Sequence, residues 1–448
     1  MNVLSQYTDL ARENRTLLDS GSSRPLNALR DKAMDALLAM ELPRLGSENY
    51  HITSLQDMLA PDFGLNLGRV PMAVNPSRSF HCGVPALSRA MIYVLNDTCV
   101  TPEGSDLPEI PGLYAGSLAE AGRKMPETVE SYYGRIADIK NPIVALDTLL
   151  CQDGVFIYIP DGVRLEKPLQ IVNMFNSPSP MMAVRRLLIV MGKGAEAKIL
   201  VCDHTQSPDT TLMALQTVEI FADEDSHLDL YDLEESSAQS SRLSALYLHQ
   251  QARSNVLIDG MTLYNGTTRN EYFCTFAGPD ADLRLLGMAI EDEERHADTY
   301  SVIRHDAPSC HADELFKYVV DDNARGCFGG LIYVAPGSVK TESYQGNRNI
   351  VGSPTARMYS KPQLEIYNDD VKCSHGTATG TFSEKQIFYM RSRGLSPAQA
   401  KLLLKQAFMS DILDGVRLPE LRDRLRTMVE RRFSGAPAAC SSCGNECH

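Results

Sequence analysis

The sequence predicts a mainly β protein whose core is a β-solenoid held between an N-terminal and a C-terminal helical region. Three observations predict it. A turn followed by an alternating strand recurs about every 25 to 30 residues through the middle of the chain, a period that marks stacked repeats. No long helical pattern interrupts that stretch. Apolar residues at three- and four-residue steps appear instead at the two ends of the 448-residue chain. From spacing alone an irregular β-sandwich remains an equal account. The solenoid is the natural reading because one turn–strand unit cannot bury its apolar face by itself, whereas stacked units share a continuous core.

In chain order, residues 1–42 read as helix, with Leu26, Leu29, Ala33, Leu37 and Leu38 on one face, ended by Pro43. Residues 61–111 are rich in proline, glycine and short apolar runs and do not resolve into elements. At Pro142 the character changes. The stretch from Gln152 to Val163 reads as a β-branched and aromatic strand between turn residues, and Pro168 to Asn173 as another. Turn-plus-strand starts follow at Gly194, Asp225, Arg253, Gly278, Ser309 and Pro336. Helix returns at Ser396-Pro397-Ala398-Gln399, an N-cap with proline at the first helical position and a capping-box partner. Ala400, Leu403, Leu404, Ala407 and Phe408 make its apolar face. A second helix starts near Pro419, with Leu421, Leu425, Met428, Val429 and Phe433 apolar. Arg422, Arg424, Arg426, Arg431 and Arg432 crowd between them as a basic face. The expected division is a helical region over 1–141, the solenoid over 142–382, a helical domain over 383–435 and a cysteine-rich flexible tail over 436–448.

With 43 basic against 57 acidic residues the formal charge is −14, so the long-range field disfavours nucleic acid and anionic lipid surfaces. The N-terminal residues carry no basic segment followed by an apolar core, and no run approaches the length of a membrane span. A cytoplasmic protein is expected. The eleven cysteines are an odd number. Eight of them, from Cys82 to Cys373, are irregularly scattered, which argues for reduced thiols that mostly act as small buried hydrophobes.

Two groups of residues could carry chemistry. In the stretch from Pro362 to Gly394, side chains two apart on a strand share a face, so Asp369, Cys373 and His375 project together. The threonine and glycine run from Gly376 to Thr381 should then break the strand, before Ser383-Glu384-Lys385-Gln386 opens a helix. A thiolate and an imidazole suit iron or an iron-sulfur cluster. Two ligands are too few for a closed site, which implies a site shared with another subunit. The plainer reading is a half-buried strand end whose cysteine packs and whose histidine makes one hydrogen bond. The second group is Cys440, Cys443, Cys447 and His448, a Cys-x2-Cys unit with two further ligands in nine residues. It reads either as an iron or zinc tether or as a disordered tail with exposed thiols. Elsewhere, Gly192-x-Gly194 lacks the context of a dinucleotide fingerprint, and no Walker A sequence occurs, so any ATP hydrolysis falls to another subunit. His204, His227, His296, His305 and His311 read as surface or hydrogen-bonded side chains, and the acidic run from Glu291 to Glu294 as a solvated turn.

The sequence Pro362-Gln363-Leu364-Glu365-Ile366, then Asp369-Asp370-Val371-Lys372-Cys373-Ser374-His375-Gly376, Ile387-Phe388-Tyr389 and Arg391-Ser392-Arg393-Gly394 resembles the SufD family, a subunit of the bacterial SUF machinery that builds iron-sulfur clusters. The paralogous SufB subunit carries a His-Glu-Ala type sequence where this chain has Lys372 to Gly376, so the resemblance leans to SufD. It extends from about Leu42 to Phe433. Leu42-Pro43 through Glu48-Asn49-Tyr50 to Thr53 is similar to a family segment that usually has tryptophan at the aromatic position, and this chain has none. Leu113 to Ala121, Tyr132-Tyr133-Gly134 and the Gln345-x-Asn347-x-Asn349 pattern are further matches, the last read as structural side-chain ladder or turn residues of the solenoid.

The resemblance implies a right-handed parallel β-helix with helical ends and a non-catalytic subunit acting with SufB and the SufC ATPase. It implies a transient iron-sulfur cluster at the SufB interface, with the family's functional histidine falling on His375 and Cys373 beside it. The C-terminal helices would dock the ATPase through Leu421, Leu425 and Phe433. The family assigns no role to the cysteine-rich tail. Two rivals stand beside this reading. A SufB-like homodimeric scaffold is compatible with the sequence when the partner is missing. A polysaccharide-active solenoid enzyme would need paired carboxylates on a groove and normally a secretion signal.

Overall fold

The structure, a computed structural model, describes residues 3–71, 90–101 and 105–435. Cys82 and the tail residues Cys440, Cys443, Cys447 and His448 lie outside the described residues, as does much of the stretch from 61 to 111 that resisted assignment.

The strands after residue 90 are β1 (Met91–Leu95), β2 (Thr98–Val100), β3 (Tyr114–Ser117), β4 (Gly154–Ile159), β5 (Leu169–Phe175), β6 (Met181–Met191) and β7 (Glu196–Thr205). They continue through β8 (Leu212–Ala222), β9 (His227–Glu235), β10 (Ser240–Gln250), β11 (Asn255–Tyr264), β12 (Thr267–Phe276) and β13 (Asp282–Glu291). The last six are β14 (His296–His305), β15 (His311–Val320), β16 (Arg325–Val334), β17 (Thr341–Val351), β18 (Arg357–Ile366) and β19 (Val371–Gly380). From β4 onward, consecutive strands alternate between two sheets, and each pairs in parallel with the strand two places away. That topology is a parallel β-solenoid and removes the sandwich that spacing left open.

One corner of each coil explains why the sequence spacing was readable. Gly194, Asp225, Arg253, Asp280, Ser309 and Lys340 all have φ between 56° and 62°, the left-handed region that a non-glycine residue enters only at a cost. Each of their N–H groups donates to a turn carbonyl of the following coil: Gly194 to Glu224, Asp225 to Ala252, Arg253 to Pro279, Asp280 to Pro308, Ser309 to Val339 and Lys340 to Asp370. The cost is thus offset by a hydrogen bond repeated at every coil. The next residue is small and buried each time (Ala195, Ser226, Ser254, Ala281, Cys310, Thr341), because the chain turns there into the shared core. Of the turn starts read from the sequence, Gly194, Asp225, Arg253 and Ser309 fall on this ladder, while Gly278 and Pro336 precede Asp280 and Lys340 by two and four positions.

The flanks are covered by the chain itself. The N-terminal pattern is four helices, Leu4–Glu13, Arg15–Ser20, Arg24–Asn27 and Arg30–Ala39, and the breaks reset the helical phase. Leu26, Ala33 and Leu37 are buried, but Leu38 is 58% exposed. Fully buried Arg30 donates to the Leu149 and Cys151 carbonyls, tying this region to the end of the helix Pro142–Leu150. Together these helices pack on the outer face of the nine-stranded sheet.

On the ten-stranded sheet the helices Pro397–Leu413 and Pro419–Phe433 pack against Leu257, Met261, Leu286 and Met288. The expected capping box at Ser396 and Gln399 is present. The expected apolar face of the first helix is only partly right. Leu403 and Ala407 are exposed, while Ala400, Met409, Ile412 and Leu413 are buried, because the second half of the helix carries most of the contact. Arg432 does not belong to a basic surface: it is buried, donates to the Leu263 and Ile290 carbonyls and pairs with Asp292. No helix among the described residues is long and apolar enough to cross a membrane.

Candidate functional site

The two ends of the solenoid differ. At the first end, β2 runs antiparallel to β1 and β3 antiparallel to β4. At the last end, β18 and β19 each have a neighbour on one side only. An uncovered edge presents a row of unpaired backbone groups to another chain.

Cys373 and His375 lie on β19. The strand does not break at Gly376 as the threonine and glycine run implied. It continues through Gly380, because each residue keeps its rung with β17: Gly376 with Gly346, Thr377 with Asn347, Thr379 with Asn349. Parallel pairing and the β-branched threonines override the glycines here. Asp369 precedes the strand and sits in the turn, so the shared face holds Cys373 and His375 without it.

That face points along the interior of the solenoid, and its column changes character toward the open end. Leu228, Val256, Leu283 and Ala312 lead in register to Ser343 and then Cys373. Leu230, Ile258 and Leu285 lead to Glu314, Gln345 and then His375. In these two columns the side chains are apolar through β13; Glu314 makes the second polar at β15, Ala312 keeps the first apolar there, and both are polar on β17. Ser343, Gln345, Asn347 and Asn349 are buried, whereas Cys373 is half-buried and His375 exposed because no further coil covers them.

Gln345 Nε2 donates to Glu314 Oε2 at 2.6 Å. Burial pushes the Glu314 carboxyl up to about 7, against the hydrogen bonds that pull it down. Burial also raises the Cys373 thiol. Directly beneath the two candidate ligands, Ser343 Oγ and Gln345 Oε1 are buried without a hydrogen-bond partner among the described residues. A soft donor pair at a surface, backed by unmatched polar atoms, suits an iron or iron-sulfur cargo completed from a second chain. Among the described residues no group of three or more histidine, cysteine, aspartate or glutamate side chains could hold a metal within the chain.

Other expected residues fall elsewhere. Leu421 and Leu425 are 3% and 0% exposed against the chain's own sheet, so they anchor the helix internally and are not free to hold a partner; Phe433 is half-buried at the margin of the same cluster. His296 and His311 are hydrogen-bonded, to Thr53 and Asp282. His305 is neither at the surface nor bonded through its ring: it is fully buried, stacked on Phe276 at 4.5 Å, and burial lowers it to about 3. The acidic run is not wholly solvated either. Glu291 is buried on the interior side, both its oxygens unmatched, and burial raises it to about 8. Cys151, Cys202, Cys274, Cys310 and Cys327 are buried, as expected of structural thiols.

Sequence reasoning missed Glu314, although its position two residues from Ala312 and from Phe316 places it on the inward parity of β15. It also missed a strap. Tyr50 donates to Glu271 at 2.7 Å and lays its ring on the Arg269 guanidinium at 3.9 Å. Thr53 bonds Asp298 at 2.5 Å, and Glu48 accepts from Lys361 and Gln363 of β18. The segment thus runs across the outer face of the nine-stranded sheet to the open edge. With tyrosine in place of tryptophan, the aromatic position keeps its stacking on arginine and gains a hydroxyl donor to a buried carboxylate.

Comparison with known proteins agrees with this geometry. Residues 173–408 match the family model described as "SUF system FeS cluster assembly, SufBD core domain", and residues 1–171 match "SufBD protein N-terminal region". The chain is 28% identical to an iron-sulfur cluster assembly SufBD family protein of Synechocystis sp., over 90% of each chain. It is 26% identical to the iron-sulfur cluster assembly protein SufD of Escherichia coli, over 90% of this chain and 92% of that one. It is 23% identical to the chloroplastic protein ABCI7 of Arabidopsis thaliana, over 91% and 86%. A parallel solenoid with helical ends, the cysteine and histidine at its open rim and both family models matched along the chain lead to one conclusion: this protein belongs to the SufBD family of iron-sulfur cluster assembly.

Proposed function

We propose that the chain is a SufD-like subunit that joins a SufB-like subunit through the open solenoid end and works with a SufC-like ATPase to assemble iron-sulfur clusters in the cytoplasm. The observation that carries this reading is the placement of Cys373 and His375 on the uncovered last rung, where a second solenoid would continue both sheets. The cluster is cargo, held transiently between the two subunits. The chain acts as a scaffold and not as a turnover enzyme; ATP hydrolysis belongs to the ATPase. With Leu421 and Leu425 used internally, the ATPase surface is assigned instead to exposed apolar residues of the C-terminal helices, Phe388, Tyr389 and Leu403, which are 72%, 59% and 42% exposed. Cys440, Cys443, Cys447 and His448 would add an iron or zinc site on a tether. A second reading, a SufB-like homodimeric scaffold, is favoured by the same free edges, since two copies could pair through them.

The test is co-purification with the neighbouring subunits, with iron and sulfide counted after reconstitution without oxygen. His375→Ala is expected to leave the complex assembled and to lower the cluster yield. An unchanged yield from an intact complex counts against the ligand role, and a homodimer that excludes the SufB-like chain favours the second reading.

A further inference from the structure

Behind His375 stands an amide that is not free to turn. Gln345 is in register beneath His375, and Glu314 beneath Gln345, all on the interior face. An amide carries its donors and its acceptor on different atoms. Because Gln345 Nε2 is held by Glu314, the carbonyl Oε1 must face away from that carboxyl, where it is buried and unmatched. A buried acceptor left without a donor is costly. Further along the same two strands the equivalent contact is closed: Asn349 Nδ2 donates to Thr379 Oγ1 of β19 at 3.0 Å. An interior amide of β17 can therefore reach a side chain of β19 above it, while Gln345 and Asn347 donate the other way, to Glu314 and to the Phe316 carbonyl of β15. His375 makes no hydrogen bond to any described residue, so its ring N–H is uncommitted one rung above the unmatched Gln345 carbonyl.

We propose that Gln345, locked by Glu314, is the positioning residue for His375: its Oε1 accepts one ring N–H, selects a single imidazole tautomer and leaves the other nitrogen's lone pair facing out of the open end. A neutral imidazole has one donor and one acceptor nitrogen, and the hydrogen bond made by one sets the availability of the other. The inference rests on the reading that His375 is a donor to cargo at that end, and it adds the residues that aim it.

The experiment uses the full chain labelled with 15N-histidine, without metal, sulfide or partner, in a two-bond 1H–15N correlation at about pH 8, where an ordinary histidine is neutral. The His375 signals are assigned by their loss in His375→Ala. One dominant tautomer is expected in the wild type. Gln345→Leu should return the mixture typical of a free imidazole. Glu314→Gln, which still offers the amide an acceptor, should keep the single tautomer, and Glu314→Leu should lose it. A wild-type His375 already in the free-imidazole mixture overturns the proposal without Gln345→Leu or either Glu314 variant having to fold. So does a folded Gln345→Leu that keeps one tautomer. Because no cluster is present, failure here removes the role of Gln345 and leaves the cluster-yield test of His375→Ala to decide the functional reading.

Discussion

The first and last coils of the solenoid are built from the same strand pair but finished in opposite ways. The first is finished by the antiparallel strands β2 and β3, and beside it the helix Pro142–Leu150, every residue of which is buried, covers the outer sheet face. That helix is tied to the sheet by Arg186, fully buried, which donates to Asp147 at 2.8 Å and Glu219 at 2.5 Å under the ring of Tyr133. Among the described residues the last coil has no such cover, its interior column turns polar, and its two strands keep a free edge. A parallel coil has no intrinsic end, so each terminus must be capped by something. Where the chain supplies the cap, the end is structural. Where it does not, the end is available to another chain, and the candidate ligands are there.

The largest effect should come from breaking the covered flank beside the closed end. Arg186→Ala leaves Asp147 and Glu219 as buried carboxylates without their counter-charge, and removing one partner of a buried ionic group costs about 3–5 kcal/mol. Denaturant unfolding of the isolated chain should show a loss of that size. A loss under about 1 kcal/mol would mean that the ion pairs beneath the helix do not hold this flank.

The flanks sharpen the comparison, because they tell self-cover from partner-cover. Leu425→Ala removes a fully buried side chain from beneath the C-terminal helices and should cost about 2–4 kcal/mol in the chain alone. Phe388→Asp, on a helix with no buried residue, should leave stability within about 0.5 kcal/mol and release the ATPase in a pull-down. The reverse pattern would return the partner surface to Leu425.

Acid titration should separate the interior of the open end from its rim. Glu314 is raised in the folded chain from 4.5 to about 7 by burial. Between those two values the folded state holds a proton that the unfolded chain releases. The contribution is therefore full below about pH 4.5 and is lost as pH rises through 7. The wild type should lose on the order of 2 kcal/mol between pH 5 and pH 8 relative to Glu314→Gln, which has no charge to bury. Parallel stability curves for the two proteins would place Glu314 in contact with water.

How much of this was legible in the sequence depends on whether a signal was local. The coil corners were, because each needs a left-handed residue followed by a small buried one, and Asp225-Ser226 or Asp280-Ala281 state that in two letters. The capping box at Ser396 was, for the same reason. The polar interior was not: Ser343, Gln345, Asn347 and Asn349 alternate with Tyr344 and Arg348, and period-two alternation does not say which face is inward. Nor does an apolar helix stripe say whose surface it meets, which is why Leu421 and Leu425 read as partner anchors. The strap from Glu48 to Thr53 was hidden because its contacts span more than 200 residues in sequence.

The smallest effect is expected at the rim. His375 is exposed on an edge strand and carries no hydrogen bond to a described residue, so its removal forfeits little packing and leaves no buried polar atom that was previously matched. His375→Ala should shift the unfolding free energy of the isolated chain by less than roughly 1 kcal/mol, as for most exposed substitutions. The comparison with Arg186→Ala then becomes quantitative: a side chain under the self-covered flank and one at the open rim of the same solenoid would differ several-fold in stability while ranking in the opposite order for cluster yield. A loss above about 2 kcal/mol for His375→Ala would mean that the imidazole is packed in the isolated chain, in which case the last coil is already covered and a partner solenoid has no free edge to extend.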